Sequence, residues 1–148
     1  MKTLTRLFVL CLSVMIFSSS DAQVLTSNRP YLFKDVNNQI PATISELDKA
    51  FTVPAGTTLQ LRFNNFLFNG TVTSSIKRYD KLYSVIIHSP SLHNTLFSIS
   101  RRINDDNTIT YVGRILNEQY ADGFELVKNK DGSYLLNKTK TDEMIQDY

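Results

Sequence analysis

Thr58-Leu59-Gln60-Leu61-Arg62-Phe63-Asn64-Asn65-Phe66-Leu67-Phe68-Asn69-Gly70-Thr71-Val72 is the stretch whose reading decides the fold. Leu59, Leu61 and Phe63 alternate with Thr58, Gln60 and Arg62, and Phe66, Phe68 and Val72 alternate with Leu67, Asn69 and Thr71. Successive side chains of a strand point to opposite faces, so this period of two describes two strands that each bury one face. Between them lies Asn64-Asn65, and asparagine tolerates the positive φ that a two-residue hairpin turn demands. The resulting register sets Phe63 against Phe66 and Leu61 against Phe68, four side chains on one buried face.

The same reading extends outward. Residues 81–89 form a predicted strand with Tyr83, Val85 and Ile87 on one face, ended by Ser89-Pro90-Ser91. Residues 95–103 and 108–116 flank Asn104-Asp105-Asp106-Asn107, four residues that favour turns through their own side-chain hydrogen bonds, so a second hairpin is expected. Residues 124–128 and 133–138 flank Asn129-Lys130-Asp131-Gly132, where Gly132 supplies a left-handed position, and this third hairpin follows on from the second. Helix is scarce. Thr43-Ile44-Ser45-Glu46 matches a capping box, with Thr43 as N-cap and Glu46 reaching back, and Ile44, Leu47 and Phe51 lie on one side of two turns. Seven or eight strands with turn signals between them predict an all-β fold, an antiparallel sandwich or a partly open barrel. One short helix near residues 44–51 and a C-terminal helical turn over 142–146 complete it. The alternation excludes a doubly wound sheet, whose strands read as unbroken apolar runs.

At the N-terminus Lys2 and Arg6 precede an apolar run from Leu7 to Phe17 and then Ser18-Ser19-Ser20-Asp21-Ala22. A cationic start, a short apolar stretch and a small-residue end read as an export signal, residues 1–22, cut between Ala22 and Gln23. The run is shorter than the roughly 20 apolar residues that span a bilayer, and no later stretch approaches that length. Residues 23–148 are then expected to be a single secreted or periplasmic β-rich domain without membrane insertion, large enough to bury roughly two-thirds of its unfolded surface. The formal net charge of +2 includes Lys2, Arg6 and Asp21 of the signal, so one positive charge leaves with it. Lys77-Arg78 and Arg101-Arg102 are too short to resemble a nucleic-acid footprint. Cys11, the one cysteine, falls inside the signal, so the mature chain has no disulfide and rests on core burial.

Groups for chemistry are few. His88 and His93 flank a proline loop where two imidazoles can meet one metal ion, but zinc wants a third protein ligand and none stands at recognised spacing. The plainer reading is a strand end and a polar loop residue. No G-x-S-x-G and no phosphate-cradling glycine run occurs, so neither a catalytic residue nor a cofactor is expected. Asp105-Asp106 and Asp142-Glu143 read as solvated turn-formers rather than an acid/base couple, which needs environments that drive two pKa values apart. Asn104-Asp105-Asp106-Asn107 lacks the spacing of a calcium loop. Asn69-Gly70-Thr71 and Asn137-Lys138-Thr139 match the glycosylation acceptor pattern.

Aromatics are the one enriched resource, with nine phenylalanines, seven tyrosines and no tryptophan. Phenylalanine at period two is core. Tyrosine prefers a wet end for its hydroxyl, so Tyr79, Tyr83, Tyr111 and Tyr134, with Arg101, Arg102 and Arg114 among the same strands, form a candidate binding surface for a protein or peptide partner, to which Tyr120, Lys77 and Arg78 also belong by type. Ordinary strand propensity accounts for the same tyrosines.

Tyr111-Val112-Gly113-Arg114-Ile115-Leu116-Asn117, Tyr120-Ala121-Asp122-Gly123-Phe124-Glu125-Leu126 and Lys130-Asp131-Gly132-Ser133-Tyr134 resemble the N-terminal pro-region of secreted bacterial zinc metallopeptidases. The likeness covers the last third of the chain. It implies a noncatalytic β module that inhibits or escorts a protease; the sequence holds no H-E-x-x-H, and no catalytic residue carries over. The leading expectation is an exported noncatalytic domain that binds a protein or peptide by strand-edge pairing or by a tyrosine-bearing sheet face. Its rivals are the inhibitor or escort, and a small metal-dependent enzyme using His88 and His93.

Overall fold

The computed structural model describes residues 28–146, so the expected signal, its cleavage point and Cys11 lie outside the described residues. Eight strands follow one another as β1 (Gln39–Ala42), β2 (Thr58–Phe63), β3 (Phe66–Tyr79), β4 (Leu82–Ser89), β5 (Thr95–Ile103), β6 (Ile109–Leu116), β7 (Asp122–Lys128) and β8 (Tyr134–Lys140). Helix α1 (Ile44–Lys49) joins β1 to β2, a 3-10 turn (Pro90–Leu92) joins β4 to β5, and α2 (Thr141–Gln146) follows β8. All eight strands belong to one sheet in the order β1-β8-β7-β6-β5-β4-β3-β2.

From β3 to β8 each strand pairs antiparallel with its predecessor, and β1 crosses to the far side to pair with β8. Strands β1 and β2, consecutive in sequence, are therefore the two edges. The sheet curls into a half-barrel, so of the two architectures expected from the sequence the partly open barrel is the one formed. Ring contacts measure the curl: Phe66 of β3 and Phe124 of β7, with three strands between them, sit 5.7 Å centroid to centroid. Phe33, from the segment before β1, closes the gap at 5.0 Å from Phe124 and 5.9 Å from Phe66.

The hairpin read from residues 58–72 forms in the expected register, Phe63 opposite Phe66 and Leu61 opposite Phe68, with Asn64 at φ 54 in the turn. All four side chains are buried on the concave face. Each such burial is worth about 1.5–3 kcal/mol. The β5–β6 turn uses Asn107 at φ 64 and the β7–β8 turn uses Gly132 at φ 87.

Helix α1 forms where expected, but its capping box does not. Thr43 takes the extended conformation of an N-cap without a side-chain cap bond, and its hydroxyl meets Ser45 instead. Glu46 turns outward to accept the backbone N–H of Arg62 on edge strand β2 at 2.9 Å. Of the expected apolar side only Leu47 is fully buried; Ile44 is 52% exposed. A row of three apolar residues overstates what a helix of six residues can bury.

Two elements have no counterpart in the sequence reading. Strand β1 contains Pro41, which suits an edge and weakens any strand signal. Strand β3 continues beyond Val72 to Tyr79 through register shifts between Val72 and Ser74 and between Lys77 and Tyr79. Such bulges insert a residue and break the period of two. The N-terminal segment is fastened by ionic groups: the buried Asp122 carboxylate accepts the N–H groups of Leu32 at 2.6 Å and Phe33 at 3.0 Å, and Lys138 Nζ donates to the carbonyls of Phe33 and Val36.

Candidate functional site

The seven residues singled out from the sequence do not share a face. Tyr83 of β4 stands opposite Arg101 of β5, and Arg101 stands opposite Tyr111 of β6, in one row on the concave side. Tyr134 joins that row, its ring 5.6 Å from Tyr111 and its hydroxyl accepting the Tyr111 N–H at 3.1 Å. Tyr79, Arg102 and Arg114 lie on the convex side. Adjacent strand residues face opposite ways, so Arg101-Arg102 could never have acted as a pair.

The inner row is built for packing more than for contact. Tyr111 and Tyr134 are 1% and 3% exposed. The Tyr111 hydroxyl donates to Asp48 Oδ1 of α1 at 2.5 Å. Burial first, and then that hydrogen bond, push its ionisation well above the usual phenol range, so Tyr111 stays neutral and serves as a donor. The Arg101 guanidinium lies 4.9 Å from the Phe51 ring centre and 5.2 Å from that of Tyr83, with Nη1 3.4 Å from Asp48. Two ring faces and one carboxylate hold this cation at the mouth of the half-barrel, and α1 is thereby tied to the middle of the sheet.

His88 and His93 do not converge. His88 lies between Ile87 and Ser89, both buried, and so points to the convex side, while His93 occupies the loop after the 3-10 turn at φ 54 with its ring 5.6 Å from Tyr120. Among the described residues no three His, Cys, Asp or Glu side chains gather where they could hold a metal ion. The turn acids are occupied in their turns. Asp106 accepts from the hydroxyl and N–H of Thr108, and Asp131 from those of Ser133, bonds that hold both carboxyls below the usual range. Asp105 pairs with Lys81 and Asp142 with Arg29. The acceptor asparagines Asn69 and Asn137 sit half-buried inside paired strands.

What the sequence reading missed is the far half of β3. Strand β2 begins at Thr58, opposite Thr71, and the last bonds on that side join Val72 to Thr57 and Gly56. From Ser74 to Tyr79, β3 pairs with β4 alone, leaving a six-residue edge open. The bulge at Thr73 also exchanges the faces: Ser75 and Lys77 now stand opposite Val85 and Tyr83 of the concave side, and Ile76 opposite Ser84 of the convex side. Ile76 is 50% and Tyr79 74% exposed. Next to them Tyr79, Leu82, Arg102, Thr110 and Val112 line a shallow, largely apolar depression on the outer face. Lys77 is paired only with the fully exposed Asp80, and Arg78 and Arg102 make no side-chain hydrogen bond among the described residues. The sequence offers Lys77, Arg78 and Tyr79 as surface candidates, but the broken period hides the strand Ile76-Lys77-Arg78-Tyr79 that carries them.

Comparison of the chain with protein-family models, with curated proteins and with solved structures gave no match.

Proposed function

We propose that this chain is an exported, noncatalytic β scaffold that binds an extended segment of a protein or peptide partner by strand addition along Ser74–Tyr79 of β3. The observation that carries the reading is the open edge itself: backbone N–H and C=O groups without a second strand, bordered by exposed Ile76 and Tyr79. An added strand gains main-chain hydrogen bonds from such an edge and side-chain contacts at alternate positions. The other edges are less inviting. Strand β1 has four residues including Pro41, and the Arg62 N–H of β2 is already taken by Glu46. Export rests on the cationic, apolar and small-residue order of residues 1–22.

The test is amide hydrogen exchange on the protein mixed with candidate partners from the exported fraction of its own host. A partner bound as proposed slows exchange across Ser74–Tyr79. Retention of a partner with those amides unchanged overturns the edge as the site, and recovery of the chain only in the cytoplasm, with residue 1 still in place, overturns export.

A further inference from the structure

The geometry points to the chemistry of the occupant: an extended segment in which acidic and apolar residues alternate. This inference rests on strand addition at the β3 edge and adds a sequence preference to it.

The two sides of the open edge differ in kind. On the concave side the edge presents Ser75 and Lys77, and Lys77 stands opposite Tyr83, which stands opposite Arg101. On the convex side it presents Ile76 and Tyr79, backed by Leu82 and Val112, the last 57% exposed. Arg78, inserted at the second bulge, adds a cation at the end of the edge. A strand laid alongside must send successive side chains to these two sides in turn. Its inward residues meet Ser75 and Lys77, with Arg78 at the end of the edge, and its outward residues meet isoleucine and tyrosine.

Asp80 does not block the inward side. Its pair with Lys77 is at the surface and i,i+3 within one hairpin, the kind of pair a better placed carboxylate displaces readily. Opposite charges facing each other across two strands favour pairing and like charges oppose it, so the sign of the inward residues decides affinity. The exposed Ile76 and Tyr79 decide the other side, since burying them beneath an apolar residue removes both from water.

The test uses three synthetic peptides of equal length with the protein at low ionic strength: one alternating glutamate and valine, one alternating lysine and valine, and one alternating glutamate and serine. Affinity is read by fluorescence anisotropy and location by exchange of the Ser74–Tyr79 amides. The glutamate–valine peptide is expected to bind about fivefold or more tighter than the lysine–valine peptide, to protect the edge, and to lose that advantage as salt is raised. Lys77→Glu combined with Arg78→Glu, both at exposed positions, is expected to reverse the order of those two peptides. The glutamate–serine peptide is expected to bind more weakly than glutamate–valine. Equal affinity of all three with the edge protected overturns the sequence preference and leaves strand addition standing. Absence of edge protection by any peptide overturns both, and the lysine, arginine and bulges of β3 are then a guard against edge-to-edge association.

Discussion

Single side chains here do different work from what their type suggests. Tyr111 is a core residue whose hydroxyl fixes α1 through Asp48, so Tyr111→Phe removes one hydrogen bond to a half-exposed carboxylate. The expected cost is about 1–2 kcal/mol in urea unfolding, with peptide binding at β3 unchanged. Glu46 is a strand-edge acceptor rather than a cap. Its pKa is lowered chiefly by the Arg62 N–H and then by Lys49, so it stabilises the fold above its unfolded value near 4.5 and loses that contribution as pH falls through the lower folded value. Glu46→Gln is therefore expected to flatten the acid limb of a stability-versus-pH curve and to lower the curve by a constant amount at neutral and alkaline pH, where its slope is unchanged. A variant whose acid limb stays as steep as the parent's contradicts this role.

At the scale of elements, the sequence was legible wherever the period of two was unbroken. Leu61, Phe63, Phe66 and Phe68 announced their hairpin and its register because each faces one core, the run from Asn104 to Asn107 announced its turn through side-chain hydrogen bonding, and Gly132 announced its own through backbone preference. Legibility stopped at Thr73, where one inserted residue moves the odd-numbered positions to the inner face. The same fact explains why a tyrosine and arginine surface drawn from composition fell apart into a buried row and an outer one: which side Arg101 or Arg102 faces depends on registers accumulated over several strands. Pro41 hid β1 for a different reason, since tertiary pairing with β8 overrides a poor local propensity. The division between core and edge gives a paired prediction. Phe68→Ala, deep in the concave face, is expected to cost about 3–5 kcal/mol in chemical denaturation. Ile76→Asp, on the open edge, is expected to change stability by no more than about 0.5 kcal/mol and to weaken peptide binding severalfold.

The whole molecule is a half-barrel whose interior is filled by rings and whose two edges are handled separately. The segment from Arg29 to Val36 seals one opening: Phe33 lies between Phe66 and Phe124, and its backbone is gripped by Asp122 and Lys138. Asp122→Ala leaves one buried and one partly buried N–H group without their carboxylate and is expected to cost about 3 kcal/mol, with exchange of residues 32–36 rising before the sheet itself opens. Across from that sealed side, β3 outruns β2 and leaves Ser74–Tyr79 uncovered. A scaffold so well provided with internal partners is nonetheless open along six residues, the edge at which we propose that a partner strand is added. The direct test is nuclear magnetic resonance of the isotope-labelled protein with an unlabelled alternating glutamate–valine peptide. Contacts between backbone protons of the peptide and those of Ser75, Ile76 and Lys77, in the regular spacing of a paired strand, are the predicted result. A bound peptide whose contacts fall on any other part of the surface, with those backbone signals unmoved, would contradict the account.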